Sequence, residues 1–340
     1  MHNKMKCIVP FANGIKVIEK DIPQILDSRD AIVKVTKTAI CTSDLHIING
    51  AVPRYVENTV LGHEFVGEIV KLGSAIANFK IGDRVAANCI TFCGECWFCK
   101  RGFINNCING GWELGCRIDG GQAEYVRVPY ADKGLNKIPD NIKDEEAIFV
   151  GDILSSGYFG VESVKKGDIV AVIGAGPVGL CAMLCARYLG AEKIISIDID
   201  EKRLEFSKQF ADYTINPEKE DFKEVLKSIT QYGADLVVEC AGGENTFETA
   251  WQIARPNGTV FIVAMYEKSQ VLPLPEMYGK NLTFKTGGVD AIHCDKLLQL
   301  ISENKINTNF LISKIYSFDN IDNAYEEFKQ KKCLKVVVSI

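Results

Sequence analysis

The 340-residue chain has only four histidines and no apolar run approaching eighteen residues. The second lack leaves no candidate for a membrane-spanning helix. Positive charge is not in excess: 39 Lys and Arg stand against 44 Asp and Glu, a net charge of −5. Nucleic acid is not expected as a partner, because surfaces that bind it are usually basic. The start, MHNKMKCIVPFANG, lacks a long apolar core and a small-residue cleavage site, so a signal peptide is not expected. No internal repeat or low-complexity linker stands out. What remains is ordinary globular composition, 47% hydrophobic and 24% charged. That is enough chain for a real core and, by length, for two domains.

Cysteine is the residue in surplus. There are thirteen, an odd number at uneven spacing. A disulfide framework suits small secreted chains, and this chain is neither small nor visibly secreted. Reduced thiols, some of them bound to metal, fit better and point to the cytoplasm. Cys93, Cys96, Cys99 and Cys107 form C-x2-C-x2-C-x7-C. Tetrahedral zinc bound by four thiolates needs ligands on tight turns, which Gly94 and Gly102 help to form. An iron–sulfur cluster also takes four thiolates, but the last spacing is wrong for the usual ferredoxin runs. Four thiolates leave no open position, so this zinc is expected to be structural.

A second candidate centre is spread out. His63 stands in GHEFVG, Gly62 to Gly67, and Cys41 in AICTSDLHI comes 22 residues earlier. Ala31 to Thr38 reads as a strand, with Val33 and Val35 on one face, that runs into Cys41. Thr42 or Ser43 then reads as a helix cap. A thiolate and an imidazole are two of the three protein ligands of a catalytic zinc site. Asp152, in FVGDILSSGYFG, reads either as a helix cap or as a third ligand. Phe65 to Leu72 and Asp83 to Ala87 read as further strands of a compact, mostly β domain like a partly open barrel. Trp112 reads as a pocket wall or as an ordinary core residue.

After Asp152 the pattern changes. Asp168 to Ile173 is a continuous apolar strand of the parallel-sheet kind. Gly174, Gly176 and Gly179, with Pro177 and Val178 between the last two, give G-x-G-x-x-G ahead of a helix over Leu180 to Leu189. The first glycine permits the turn, the second the approach of a pyrophosphate, and the third close packing of helix on strand. The helix start offers N–H groups to phosphates. The strand Lys193 to Asp198 ends on an acid about twenty residues after the last glycine. Such a carboxylate bonds the ribose hydroxyls and repels a 2′-phosphate, so NAD is expected over NADP. Helices over 203–210, 223–230 and 247–254 alternate with strands over 235–240 and 259–264, which argues for a doubly wound sheet. A helix over 296–302 follows, and the strand 335–340 is expected to return to the first domain.

With these features in this order, the chain resembles the medium-chain, zinc-dependent alcohol dehydrogenase family over nearly its whole length. GHE-x2-G-x5-G-x2-I, Gly62 to Ile76, matches the family's zinc signature. The resemblance implies an α/β fold: a GroES-like, mostly β catalytic domain (1–152 and 295–340) and a doubly wound Rossmann NAD-binding domain (153–294). It implies Cys41, His63 and Asp152 as catalytic zinc ligands, with aspartate where many members have cysteine, as in some bacterial secondary-alcohol dehydrogenases. Glu64 matches the acid that approaches the metal, and Asp44 the acid that orients the histidine ligand. Ser43 matches the hydroxyl that takes the substrate proton, and His46 the residue that passes it on. Arg203 joins the glycine loop and Asp198 as a cofactor contact, while Thr42 replaces a basic residue that faces the pyrophosphate in some members. Cys89, Ile90 and Trp112 are expected to shape an apolar substrate pocket. The implied protein carries two zinc ions per subunit, assembles as a dimer or tetramer, and acts on small, secondary alcohols and ketones, or aldehydes. Polyol, butanediol or threonine dehydrogenases are alternatives on the same scaffold. An inactive nucleotide-binding protein is an alternative of another class, and it would have a damaged metal site.

Overall fold

A computed structural model describes residues 4–340. The chain divides into two compact units, one running to Ser155 and resuming over Asp290–Ile340, the other Ser156–Val289. The first is mostly β. Its sheet runs Ile312–Ser317, Lys335–Ser339, Ala31–Ile40, Phe65–Leu72, Arg84–Ala87, Leu135–Lys137, and Tyr125–Val128 pairs with Ala31–Ile40 off that path. A separate hairpin joins Lys4–Phe11 to Gly14–Asp21.

Ala31–Ile40 is the hub. Its residues alternate between faces, and Val33 and Val35 enter the core at 0% and 2% exposure. The C-terminal strand pairs antiparallel with it, Val336 opposite Ile40, so the last strand of the chain does return to the first unit. Three consecutive valines, Val336, Val337 and Val338, are all fully buried there.

The second unit holds six parallel strands in the order Tyr213–Ile215, Lys193–Ile197, Ile169–Ile173, Ala234–Glu239, Ala254–Ile262, Thr283–Thr286. Helices Pro177–Leu189, Glu201–Ser207, Phe222–Ile229 and Thr246–Ile253 alternate with them. The order reverses direction at Ile169–Ile173, the switch point where open α/β sheets bind ligands. Ile169–Ile173 is apolar throughout, as burial on both faces requires.

Several boundaries differ from those read in the sequence. The helix over Thr42–Ile48 is capped by Cys41, not by Thr42 or Ser43, which occupy its first turn. The acid at position 44 takes the Cys41 N–H and so sets the cap before both of them. Helices expected over 203–210 and 223–230 start at Glu201 and Phe222, because Asp200 and Asp221 accept the first free N–H groups. The strand expected at 259–264 begins at Ala254, straight after the preceding helix. Its pairing is irregular between Ala254 and Thr259, where Asn257 takes a φ of 57°.

Candidate active site

The first unit brings three distant segments to one point. Cys41 directly follows the hub strand and caps the helix Thr42–Ile48, which fixes its backbone on both sides. His63 and Glu64 lead directly into the strand Phe65–Leu72. Asp152 stands one residue before the helix Ile153–Val161. Gly151 lets that segment dock, since a Cβ there would stand 1.8 Å from the Ala87 carbonyl oxygen. The Cys89 N–H reaches the Gly151 oxygen at 3.0 Å and anchors the neighbouring loop.

Cys41, His63, Glu64 and Asp152 each place one donor atom within 4.8 Å of all the others. His63 Nε2 lies 3.2 Å from Asp152 Oδ2, and Cys41 Sγ lies 3.8 Å from the same oxygen. A tetrahedral zinc with sulfur at about 2.3 Å and N or O at about 2.0–2.2 Å sets such pairs roughly 3.3–3.6 Å apart, so the donor set fits the ion. Charge fits as well. Burial disfavours an imidazolium, yet the bonds to Asp152 and Cys41 outweigh it and raise the His63 pKa well above the ordinary histidine value. Burial would push Asp152 up, but His63 holds it below the usual carboxylate range. This is a pocket that stabilises a cation. Burial pushes the Cys41 thiol up against the pull of Lys335 and His63, and a bound cation would favour its thiolate further.

Two carboxylates flank the donors. Asp44 is fully buried, with Oδ1 at 3.9 Å from His63 Nδ1. Glu64 is also fully buried, and its Oε1 pairs with Lys335 Nζ at 2.5 Å. Burial raises Glu64 to about 7 against the pull of Lys335. Lys335 was not read as a site residue. Its signal is a lysine at the head of a run of three valines, in the strand KVVVS, where it is only 2% exposed. An unpaired charge in that position would be costly.

Ser43 and His46 lie three apart on the helix Thr42–Ile48 and so share a face. Ser43 Oγ is 3.7 Å from Cys41 Sγ. His46 is half-buried. Trp112 packs edge-on against His63, centroids 5.6 Å apart, and Arg54 covers its ring at 4.9 Å. Cys89 and Ile90 are both buried.

Cys93, Cys96, Cys99 and Cys107 converge in a lobe of short 3-10 turns, Cys99–Arg101 and Ile104–Asn106. Sulfur separations of 3.6 Å for Cys93–Cys107 and 4.0 Å for Cys96–Cys107 bracket the roughly 3.8 Å that a tetrahedral four-thiolate zinc imposes. The thiols themselves make up most of the lobe's small core, with Phe92, Phe98 and Tyr130 packed around them. Backbone N–H groups of Cys99 and Ile108 lower the Cys96 pKa to about 6.

In the second unit the loop 174–179 follows Ile169–Ile173 and enters the thirteen-residue helix Pro177–Leu189 with Gly176 as cap and Pro177 at its first position. Gly179 admits no side chain, because a Cβ would stand 1.8 Å from the Gly174 oxygen. Val178 is half-buried in the first turn. Asp198 holds the loop through the Ala175 N–H at 2.7 Å, and its other oxygen takes the Asp200 N–H at 2.9 Å. The Arg203 guanidinium reaches over the loop at Gly176.

Residues 27–140 match the family model of the alcohol dehydrogenase GroES-like domain, and residues 177–303 that of the zinc-binding dehydrogenase. Zinc-type alcohol dehydrogenase B of Aspergillus flavus is 33% identical across 98% of this chain and 81% of its own length. D-xylulose reductase A of Aspergillus oryzae is 32% identical across 96% of this chain and 93% of its own. Among solved structures, alcohol dehydrogenase TADH from Thermus sp. ATN1 superimposes with a TM-score of 0.93, at 36% identity, over 98% of this chain and 99% of that one.

Proposed function

This chain belongs to the medium-chain, zinc-dependent alcohol dehydrogenase family, oxidoreductases that act on alcohols, and on that premise we propose that it transfers hydride reversibly between small, secondary alcohols and NAD. The observation that carries the reading is the convergence of Cys41, His63 and Asp152, 22 and 89 residues apart in order, on one donor cluster. Zinc, when bound, supplies the Lewis acidity that makes an alcohol hydroxyl more acidic, and the nicotinamide supplies the hydride acceptor.

The residues of the chain do the rest. Cys41, His63 and Asp152 hold the catalytic ion, and their thiolate and carboxylate balance its charge. Asp44 Oδ1 faces His63 Nδ1 at 3.9 Å, and its charge favours a proton on that ring nitrogen. Ser43 accepts the proton from the substrate hydroxyl, and His46 carries it on towards solvent. Lys335 holds Glu64 beside the donors without adding net negative charge. Trp112, Cys89 and Ile90 give the substrate side an apolar wall. A second zinc sits in the four-cysteine lobe and has no open position for chemistry. The glycine loop with Arg203 takes the pyrophosphate side of the cofactor, and Asp198 the adenosine ribose.

The reading extends to a cytoplasmic dimer or tetramer. None of the thirteen cysteines is in a disulfide, as a reducing compartment requires. No helix among the described residues is long and apolar enough to cross a membrane. A polyol substrate is the second reading, favoured by the likeness to D-xylulose reductase A. A panel of secondary alcohols and polyols, followed by reduced-cofactor absorbance with NAD and with NADP, decides between them. Higher kcat/KM on polyols would overturn the first choice. Asp198→Ala should raise the NADP to NAD activity ratio about tenfold, as about 1.4 kcal/mol of relieved repulsion would. An unchanged ratio would show the ribose assignment to be wrong.

A further inference from the structure

The polar chain behind His63 does not stop at Asp44. Asp44 Oδ2 accepts the Cys41 N–H at 2.9 Å and Gln122 Nε2 at 3.1 Å. The other end of that amide, Oε1, receives the Tyr325 hydroxyl at 2.7 Å. Gln122 and Tyr325 are 0% and 1% exposed, so water does not compete for these groups.

Asp44 and Tyr325 orient the amide between them. An amide turned the other way would set its oxygen against the Asp44 carboxylate, two acceptors face to face in a dry interior. The carboxylate therefore fixes the N–H₂ towards itself. That leaves Oε1 as an acceptor, and Tyr325 has to donate. Asp44 Oδ1 has no hydrogen-bond partner, and neither does His63 Nδ1, 3.9 Å away. A ring proton on Nδ1, facing that carboxylate oxygen, would leave the lone pair on Nε2, the atom that faces Asp152.

The main chain ties Gln122 to His63 independently. The Gln122 N–H bonds the Leu61 oxygen at 2.9 Å. Gly62, at φ +97°, has no room for a side chain: a Cβ would stand 2.6 Å from Gln122 Cγ and 2.8 Å from its nitrogen. Gln122 thus touches the residue next to the imidazole as well as the carboxylate behind it.

We propose that Gln122 and Tyr325 are positioning residues of the metal centre, which hold Asp44 and through it the tautomer and ring angle of His63. The proposal rests on the zinc reading of Cys41, His63 and Asp152. Its test is zinc release from the full-length, zinc-loaded protein into a chelator, with the four-cysteine lobe as internal reference. Gln122→Met keeps the side-chain length and removes both ends of the amide. It should speed release from the Cys41 centre about tenfold, the usual cost of losing an outer hydrogen-bond partner. Tyr325→Phe removes one hydroxyl and should speed that release by less. Release from the lobe should not change in either variant. The double variant should match Gln122→Met alone, because Tyr325 acts only through the amide. Wild-type release in Gln122→Met, or a Tyr325→Phe effect of the same size in both backgrounds, would overturn the proposal whatever happens to the melting temperature. A wild-type protein with only the lobe's zinc to release would sink the zinc reading itself.

Discussion

The two metal-donor clusters are opposite solutions to one problem. The lobe gathers four sulfurs from fifteen consecutive residues, on tight turns, with little apolar core of its own. The Cys41 centre gathers a sulfur, an imidazole and a carboxylate from a strand end, a strand start and a helix start. In the lobe a bound metal would organise the chain. At the centre the chain, through its sheet and its buried partners, organises the metal site. Stability should therefore depend on the first cluster, and chemistry on the second.

The sharpest way to break this contrast is to remove one donor from each. His63→Ala should lower kcat/KM by about 10³-fold, the counterpart of the several kcal/mol that a Lewis acid supplies. Metal content should fall from two ions per chain to one, with melting changed little. Cys107→Ser should do the reverse. A loss of about 4 kcal/mol lowers the melting temperature by roughly 8–16 °C for a unit of this size, while folded protein assayed cold keeps most of its activity. If Cys107→Ser abolished activity in fully folded protein, the lobe would not be merely structural.

A smaller effect separates the two clusters by thiol chemistry. In zinc-stripped protein whose lobe keeps its turns, the backbone N–H groups that lower Cys96 to about 6 favour its thiolate at pH 7, whereas burial pushes the Cys41 thiol up. Iodoacetamide at pH 7 should label Cys96 first, as read by peptide mass spectrometry. Labelling of Cys96 should fall as pH drops through about 6. Faster labelling of Cys41 would mean that the centre, once emptied, opens more readily than the lobe.

The contrast also explains what could be read from the residues. The donor cluster of the lobe was legible from spacing alone, because its four cysteines are neighbours in sequence. The glycine loop and Asp198 were legible for the same reason, each lying at a fixed distance along one β–α–β unit. Cys41 and His63 were suggestive only together. Without the family pattern Asp152 reads either as a cap or as a ligand, since nothing local distinguishes an acid before a helix from an acid on a metal. Lys335, Gln122 and Tyr325 were not seen, because partners 271, 78 and 203 residues away leave no spacing to read. The cap of Thr42–Ile48 lies one or two residues before the expected Thr42 or Ser43 because cysteine is a poor cap on propensity, and Asp44 overrides that preference from inside the helix.

The account stands most directly on where the metal lies. Anomalous diffraction at the zinc edge from crystals of the zinc-loaded protein should show two peaks per chain, one in the lobe and one at about 2.0–2.3 Å from Cys41 Sγ, His63 Nε2 and an Asp152 oxygen. A lone peak in the lobe, from protein active on alcohols, would contradict it.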